Sequence, residues 1–468
     1  MAPMKTSLLA AAALPLLTLS TPLPALAQMA PAEVERLRDA ALKDDIAWDI
    51  AEGLTTEIGP RLAGTEAEAR ARQWAVAKLK SLGFQNVRIE EFTMPTWVRG
   101  EEHAEIVGRF AQPMHVAALG ESGATPPEGI TAEVVGFESV DALRAAPAGS
   151  LKGKIAFISH DMKPTQDGSG YGFAGPARWV GPSIAAEKGA VAAVIRSVGT
   201  DYHRNPHTGG TNWAEGVKPI PAGALSLPDA ENLARMLERG GPITMKLVLT
   251  PKWIGEQTSG NVVAEVPGTD PDAGVVAIGG HLDSWDLATG AFDNAAGVAI
   301  TAAAAKRIME AGPPRRTIRL IWFGAEEVGV LGGSAYFERH KNDGGVVFVS
   351  ESDFGADRIW KMDCTMAETA KAICDRVAGY VAPLGIMKGR DPAGAGADLG
   401  AWARAGTAAI DLNQDGTRYF AFHHTPDDTL DKIDREQLRQ NVAAWTAMLA
   451  VVANAPEAIG PVKREAAQ

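Results

Sequence analysis

The sequence predicts an α/β protein with a largely parallel central sheet and a smaller β-rich unit inserted into it. Two observations predict this class. After residue 260, apolar strand-like segments alternate with helical segments, which is typical of a parallel sheet covered by helices on both faces. Between about residues 119 and 250, the chain is instead rich in glycine, proline and short β-like runs. We therefore expect one α/β unit that is interrupted by a second unit.

The chain before the insertion is predicted to contribute helices and one strand. Residues 31–57 carry apolar side chains at helical spacing, and the run 58–64, which contains glycine and proline, ends that pattern. A second helix is expected to begin near Thr65, because Thr65 and Glu68 have the spacing of a capping box. Residues 87–92 alternate in character and are predicted to form a strand.

Short apolar runs and helical periodicity predict the remaining elements. In the inserted unit we expect strands at 153–158, 189–195 and 243–249 and helices at 183–188 and 229–237. After residue 260 we expect strands at 274–278, 317–323, 346–350 and 407–412 and helices at 295–309, 367–377 and 435–453.

The first 27 residues have the features of a secretory signal peptide. Lys5 is their only charged residue, an apolar run follows at 8–17, and residues 25–27 (ALA) fit the small-x-small cleavage pattern. The apolar run is too short for a bilayer, which needs about 20 residues. An uncleaved anchor is the alternative. We expect a periplasmic or secreted protein that begins near Gln28 and does not bind membranes once the signal is removed.

Charge and cysteine content narrow the function classes. The formal net charge is −12 over 468 residues, which argues against a nucleic-acid partner. Cys364 and Cys374 are the only cysteines, and export permits a disulfide between them, so bridged and free states both stay open. Two cysteines alone cannot form a structural zinc site, so a metal site here must use His, Asp and Glu.

Four clusters of histidine and carboxylate residues stand at or just past predicted strand ends. They are His281 with Asp283 and Asp293; Glu326 with Glu327; Glu351 with Asp353; and His423 with His424, Asp427 and Asp428. Read alone, each cluster is compatible with a solvated loop or a capping residue. In open α/β sheets, however, sites form beyond the carboxyl ends of strands, so the four clusters can converge on one crevice.

The residue types at these strand ends suit two zinc ions. Zinc takes histidine nitrogen and carboxylate oxygen, and a catalytic site leaves a position for water. If Glu327 binds a metal, Glu326 points to the other side of an extended segment and is the candidate general base. Asp283, two residues past His281, is expected to accept the second N–H of the imidazole.

These clusters resemble those of the dizinc exopeptidases of family M28, and most closely its carboxypeptidase Q (plasma glutamate carboxypeptidase) branch. The resemblance is carried by residues 280–286 (GHLDSWD), 290–293 (GAFD), 323–327 (FGAEE), Asp353 and 422–425 (FHHT). Residues 58–65 are similar to the N-terminal signature of the family, and the inserted unit is similar to a protease-associated (PA) domain. The resemblance covers nearly all of the mature chain.

The resemblance implies a three-layer zinc-exopeptidase sandwich with a mixed, mostly parallel sheet. It implies two zinc ions per chain, short peptide substrates and a possible homodimer. The implied zinc ligands are His281, Asp293, Glu327, Asp353 and His424, with Asp293 bridging. It also implies that Glu326 is the general acid/base, that Asp283 supports the ligands, and that the peptide bond after Asp293 is cis.

The resulting division is a signal peptide (1–27), a first part of the peptidase domain (28–118), a PA-like insertion (119–250) and a second part carrying the metal site (251–468). One position departs from the family pattern: relatives often carry an acidic residue after the bridging aspartate, where this chain has Asn294. Metal affinity or pH profile could therefore differ. The alternatives are a single-zinc amidohydrolase or glutaminyl-cyclase-like enzyme and a non-enzymatic, receptor-like homologue. Retention of every expected ligand favours the dizinc exopeptidase.

Overall fold

A computed structural model describes residues 29–462, so the predicted signal peptide lies outside the described residues. The strands are β1 (Gln85–Val98), β2 (Glu102–Val107), β3 (Gln112–Met114), β4 (Val116–Ala118), β5 (Ile130–Phe137), β6 (Ile155–Ile158), β7 (Ala192–Arg196), β8 (Ala222–Leu225), β9 (Thr244–Leu249), β10 (Lys252–Val266), β11 (Val275–His281), β12 (Thr317–Phe323), β13 (Val346–Glu351), β14 (Ile359–Thr365), β15 (Met387–Lys388) and β16 (Ala408–Gln414). The helices are α1 (Pro31–Ala41), α2 (Ile46–Gly53), α3 (Glu66–Ser81), α4 (Val140–Ala145), α5 (Ser169–Ala174), α6 (Pro176–Trp179), α7 (Gly181–Glu187), α8 (Leu227–Glu238), α9 (Ala296–Ala311), α10 (Leu331–His340), α11 (Ala372–Val381), α12 (Gly400–Arg404) and α13 (Arg435–Val452).

The first sheet is mixed and contains the strands that lead to the candidate site. Its order is β1-β10-β12-β11-β13-β16-β14-β15. The central strands β12, β11, β13 and β16 run parallel to one another. Strands β1 and β10 pair antiparallel with their neighbours, and β14 pairs antiparallel with β16 but parallel with β15. This arrangement confirms the prediction of a mixed, mostly parallel α/β sheet in its central part.

Helices cover both faces of the first sheet. Alternate residues of β11 and β12 enter different apolar clusters: Ile278 and Leu320 pack with α9 and α13, whereas Ala277 and Ile321 pack with α10 and α12. Because side chains of a strand alternate between the two faces, this pattern requires apolar cover on each side. The core therefore fixes the sheet between two helical layers.

Helix α3, which precedes the first strand of this sheet, begins as the sequence predicts. The Thr65 side chain accepts a hydrogen bond from the Glu68 N–H at 3.4 Å, which caps α3. After residue 260, β11, β12, β13 and β16 lie at the predicted strands, and α9, α11 and α13 lie at the predicted helices. The sequence did not predict β10, β14 or α10.

A second sheet is built from residues 102–249, in the order β3-β2-β9-β5-β6-β7-β8-β4. Its first strands, β2 to β4, lie before residue 119, the position at which the sequence places the start of the insertion. The structure therefore places the start of this unit near Glu102. Strand β2 belongs here because it pairs antiparallel with β9, a long-range contact that local patterns do not reveal.

Further contacts link the two units and the C-terminal region. Trp97 and Trp285 belong to the apolar cluster of the second sheet, with their ring centroids 6.4 Å apart. Cys364 and Cys374 form a disulfide, which resolves the alternative that the sequence left open. No helix within residues 29–462 is both long and apolar enough to cross a bilayer.

Candidate active site

Three neighbouring parallel strands deliver the first candidate residues to one edge of the sheet. His281 is the last residue of β11 and lies opposite Phe323, after which the chain continues to Glu326. On the other side of β11, Gly279 lies opposite Glu351, so Asp353 lies near the level of His281. The carboxyl ends of adjacent parallel strands meet at the same edge, and this register brings the clusters together.

The structure brings all five predicted metal ligands together, and Asp293 lies between two groups. On one side, the His281 Nε2 lies 3.0 Å from Asp293 Oδ1 and 3.2 Å from Asp353 Oδ1. On the other side, the His424 Nε2 lies 3.3 Å from Asp293 Oδ2 and 2.9 Å from Glu327 Oε2. The two carboxylate oxygens of Asp293 therefore face different histidines, which is the arrangement that a bridging ligand needs.

Asp283 supports this site differently from the prediction. The His281 Nδ1 donates to the main-chain carbonyl of Asp283 at 3.0 Å, whereas the Asp283 carboxylate lies 3.6 Å away, too far for a hydrogen bond. The carboxylate instead accepts from the main-chain N–H groups of Glu326 and Glu327 at 3.1 and 3.3 Å. Asp283 thus orients His281 through its backbone and holds the 326–327 segment through its side chain.

The second sheet's unit contacts the remaining histidine ligand directly. The His424 Nδ1 lies 3.1 Å from the Thr208 carbonyl, and the Thr208 N–H donates to the His424 carbonyl at 3.0 Å. Beside this pair, the His207 Nδ1 donates to the His423 carbonyl at 2.8 Å. With the Thr208 carbonyl and, at 3.3 Å, the Arg178 Nη1 both on its Nδ1 side, His424 turns its Nε2 toward Asp293 and Glu327.

Two buried residues that the sequence analysis did not single out as functional fix the loop between β11 and Asp293. Arg61 is fully buried and donates to the carbonyls of Leu282 and Gly290. The Asp428 carboxylate accepts from the main-chain N–H groups of Phe292 and Asp293, at 2.6 and 3.1 Å. Arg61 lies within the N-terminal signature and Asp428 within the fourth cluster, but neither pattern indicates that these side chains bind backbone groups distant in sequence.

Asn294, the departure from the family pattern, is buried and makes two hydrogen bonds of opposite sense. Its Nδ2 donates to the Ser352 carbonyl at 2.9 Å, and its Oδ1 accepts from the Gly297 N–H at 2.9 Å. The peptide bond between Asp293 and Asn294 is cis, as the resemblance implies. An ionised carboxylate has no proton to donate, so the amide matches this position in a way that a charged residue cannot.

Glu326 and Glu327 are buried beside other carboxylates. Burial is the main reason why the pKa of the Glu326 carboxyl lies well above its ordinary value; neighbouring carboxylates add to this effect, and His281 opposes it. Burial also raises the pKa of Glu327, with Asp293 adding to it. Burying unpaired carboxylates costs free energy, so bound cations would stabilise this group of side chains.

His423 joins the site, although it is not among the predicted metal ligands. Its imidazole stacks on that of His424 with 3.5 Å between centroids, and its Nε2 lies 3.6 Å from Asp293 Oδ2. Its buried Nδ1 has no hydrogen-bond partner within residues 29–462. The ligating atoms of Asp293, His423 and His424 form one possible metal group, and those of His281, Asp293 and Asp353 form another, each within 4.8 Å. Only the doubled histidine in the sequence could have indicated this.

The site opens into a cavity of about 400 Å³ between the two units. The first unit supplies the carboxylates and histidines, together with Tyr419 and Phe420. The second unit supplies the facing wall, which includes Glu121, Tyr171 and Arg178. The cavity therefore combines a charged floor with partly aromatic walls, and both units are needed to enclose it.

The sequence profile of peptidase family M28 matches residues 261–449, the region that carries every metal-ligand candidate. Carboxypeptidase Q of Bos taurus is 36% identical to this chain over 407 residues, which are 86% of this chain and 84% of that protein.

Solved structures agree with this similarity. A peptidase M28 precursor from Shewanella amazonensis SB2B is 45% identical, with a TM-score of 0.90 over 92% of this chain and 98% of that chain. A zinc aminopeptidase from Bacillus subtilis has a TM-score of 0.63 over 90% of this chain and 98% of its own. Since its identity is 22%, it supports similarity of fold alone.

Proposed function

Since this chain belongs to peptidase family M28 and is a metallopeptidase, we propose that it is a dizinc exopeptidase that hydrolyses short peptides with a free amino terminus. The observation that carries this proposal is the position of Asp293, whose two oxygens face His281 and His424 on opposite sides. A single-zinc enzyme would need only one of these groups. The shared carboxylate therefore favours two metal ions over one.

The residues present fit two zinc ions. His281 and Asp353 would hold one ion and Glu327 and His424 the other, with Asp293 shared. Imidazole nitrogen and carboxylate oxygen are the ligands that zinc takes in hydrolytic sites. When bound, zinc supplies the Lewis acidity that activates water and polarises a scissile carbonyl. The charge of the ions would also offset the buried carboxylates.

In this proposal Glu326 moves the protons of the reaction. Its carboxylate accepts a proton from the attacking water and returns it to the leaving amine. Asp283 fixes the position of Glu326, because its carboxylate binds the backbone N–H groups of residues 326 and 327. Placing the acid/base group on a backbone held in this way limits how far it can move from the ligands.

The cavity and the relatives together favour dipeptides or the ends of short peptides. A volume of about 400 Å³ is at the small end of ligand sites and encloses a few residues at most. One relative is called a carboxypeptidase, and another, which is 25% identical over 86% of this chain, is called an aminopeptidase. A dipeptide offers both termini at once, so a dipeptidase is consistent with both names. The facing wall, which we propose to be a PA-like domain, would limit access by longer chains.

Export is part of the same proposal. The composition of residues 1–27 supports a cleaved signal peptide. The disulfide between Cys364 and Cys374 supports an oxidising compartment, because such bonds are rare in the cytosol. We therefore propose that the enzyme works in the periplasm or outside the cell.

The test compares wild-type protein with Glu326→Gln, which keeps the shape of the side chain and removes its basicity. We expect two zinc ions per chain in both proteins and a fall in kcat of about 10²- to 10⁴-fold in the variant. Metal content and turnover of dipeptides, longer peptides and N-blocked peptides are the measurements. Free dipeptides are expected to be the best substrates.

Glu338→Gln is the matched control, because Glu338 is an exposed glutamate of the same unit. It should leave turnover unchanged. Full activity of zinc-loaded Glu326→Gln would contradict the assigned acid/base role. Equal cleavage of N-blocked and free peptides by wild-type protein would contradict exopeptidase action.

A further inference from the structure

One carboxylate of the cavity has no role in the proposed reaction. Glu121 lies on the wall supplied by the second unit, opposite the metal-ligand candidates. Burial raises the pKa of the Glu121 carboxyl to about 7, and no neighbouring cation acts against that rise. Arg178 faces the same cavity, but its guanidinium already donates to the Thr208 carbonyl and the Tyr171 hydroxyl. Within residues 29–462, Glu121 therefore faces the cavity without a positive partner.

The backbone holds Glu121 in a fixed, unusual conformation. Its φ is 65°, in the left-handed region that non-glycine residues rarely adopt. Hydrogen bonds fix the chain on both sides: the Gly120 N–H donates to the Gly209 carbonyl at 3.0 Å, and the Trp213 Nε1 donates to the Glu121 carbonyl at 3.0 Å. Such conformations persist where surrounding structure imposes them and are common at ligand sites. The direction in which the Glu121 side chain leaves the backbone is thus set by the fold.

Close packing places this turn on one side of the cavity. Gly120 lies so near the Trp285 ring that a β-carbon there would approach the ring to 2.2 Å. The main-chain N–H of Trp285 in turn donates to Glu327 Oε1 at 3.2 Å. Gly210, which bridges to Gly120, also faces the backbone of Glu327. Glu121 therefore follows a turn that packs against the Glu327 side of the site.

We propose that Glu121 determines specificity by binding a cationic group of the substrate, an ammonium or a guanidinium, on the Glu327 side of the cavity. An ionised carboxylate only accepts hydrogen bonds, and a half-buried one binds a charged donor more strongly than a neutral donor. A single carboxylate supplies too few ligand atoms to hold a further metal ion. This inference rests on the proposed peptidase function, since it names part of what that site selects.

The test uses zinc-loaded mature protein and four dipeptides: Lys-Ala, norleucyl-Ala, Ala-Lys and Ala-norleucine. Norleucine matches the lysine stem without the charge. If a side chain supplies the cation, wild-type protein should prefer lysine at one position by about tenfold in kcat/KM, mainly through KM. Glu121→Gln should remove that preference by raising KM for the preferred lysine peptide about tenfold, toward that of its norleucine counterpart. If the α-ammonium supplies it, Glu121→Gln should instead raise KM about tenfold for all four peptides.

Two further variants separate charge from folding. Glu121→Asp keeps the charge and should keep part of the effect, whereas Glu215→Gln, an exposed glutamate of the same unit, should behave as wild type. Unchanged KM values for all four peptides in Glu121→Gln would overturn the inference. If wild-type protein cleaves none of them, the proposed function fails instead. In that case, calorimetry decides the inference by comparing the binding of Lys-Ala with that of norleucyl-Ala, first for wild-type protein and then for Glu121→Gln.

Discussion

At the scale of single residues, the direction of the hydrogen bonds determines which side chain fits at several positions around the site. Asn294 donates to one carbonyl and accepts from one N–H, so its amide satisfies both partners at once. Asp283 makes two kinds of contact. Its main-chain carbonyl orients His281, and its carboxylate binds the main-chain N–H groups of residues 326 and 327. Each of these side chains is buried, where an unmatched polar group costs about 1–3 kcal/mol.

Replacing Asn294 by aspartate tests this matching. Asn294→Asp places a buried carboxylate against the Ser352 carbonyl in place of a donor. We expect the free energy of unfolding to fall by about 1–3 kcal/mol, because the donor is lost and two acceptors face each other. Urea denaturation of the metal-free protein measures it. Asn342→Asp, at an exposed asparagine, is the control and should change stability little. Equal stability of both variants would show that the amide donor is unimportant.

At the scale of elements, the second unit contacts the residues of the candidate metal site. Residues 207 and 208 form a short clasp with residues 423 and 424, through three hydrogen bonds between 2.8 and 3.1 Å. Behind the clasp, the His207 Nε2 lies 2.7 Å from Asp201 Oδ1, and both side chains are buried. The sequence suggested no chemical role for this unit, because none of its residues has ligand spacing.

Removing the donors of His207 should loosen the clasp. His207→Phe keeps a ring but leaves the Asp201 carboxylate buried without its partner and the His423 carbonyl without its donor. Leaving a buried carboxylate oxygen and a buried carbonyl without their donors is expected to cost about 3 kcal/mol of unfolding free energy. Zinc affinity should fall about 10- to 100-fold, because partners of ligands are lost.

Urea denaturation and zinc competition against a chelator are the measurements for His207→Phe. His203→Ala, at an exposed histidine four positions earlier, is the matched control and should match wild type in both. A His207→Phe protein with wild-type zinc affinity would refute the view that the clasp positions His424.

At the scale of the whole molecule, local patterns predicted the first sheet better than the second. Strands β11, β12, β13 and β16 could be predicted because each is a short apolar run followed by polar residues. Their parallel order then placed His281, Glu327 and Asp353 at one edge. The start of the second sheet could not be predicted, since β2 pairs with β9 far along the chain. For the same reason, the partners of Arg61 and Asp428 were missed: backbone groups distant in sequence leave no local signal.

Export can be tested on the whole chain. In a secreting bacterial host, mass spectrometry of the recovered protein should find a mature chain beginning at Gln28. Ala27→Phe should block cleavage, because the residue before the cut must be small. Leu26→Phe is the matched control, since the middle position of the pattern tolerates large residues. Recovery of uncleaved wild-type protein from the periplasm or medium would contradict this prediction.

The clasp between residues 207–208 and 423–424 also affects whether the second unit can be removed from the protein. Cutting out residues 102–249 to obtain a minimal catalytic core would remove the acceptor of the His424 Nδ1 proton and the facing wall of the cavity. A trimmed enzyme would therefore need a replacement acceptor designed into its own loops. The second unit is therefore not an independent module. If relatives exchanged this unit in evolution, the residues of the clasp would have to be exchanged with it.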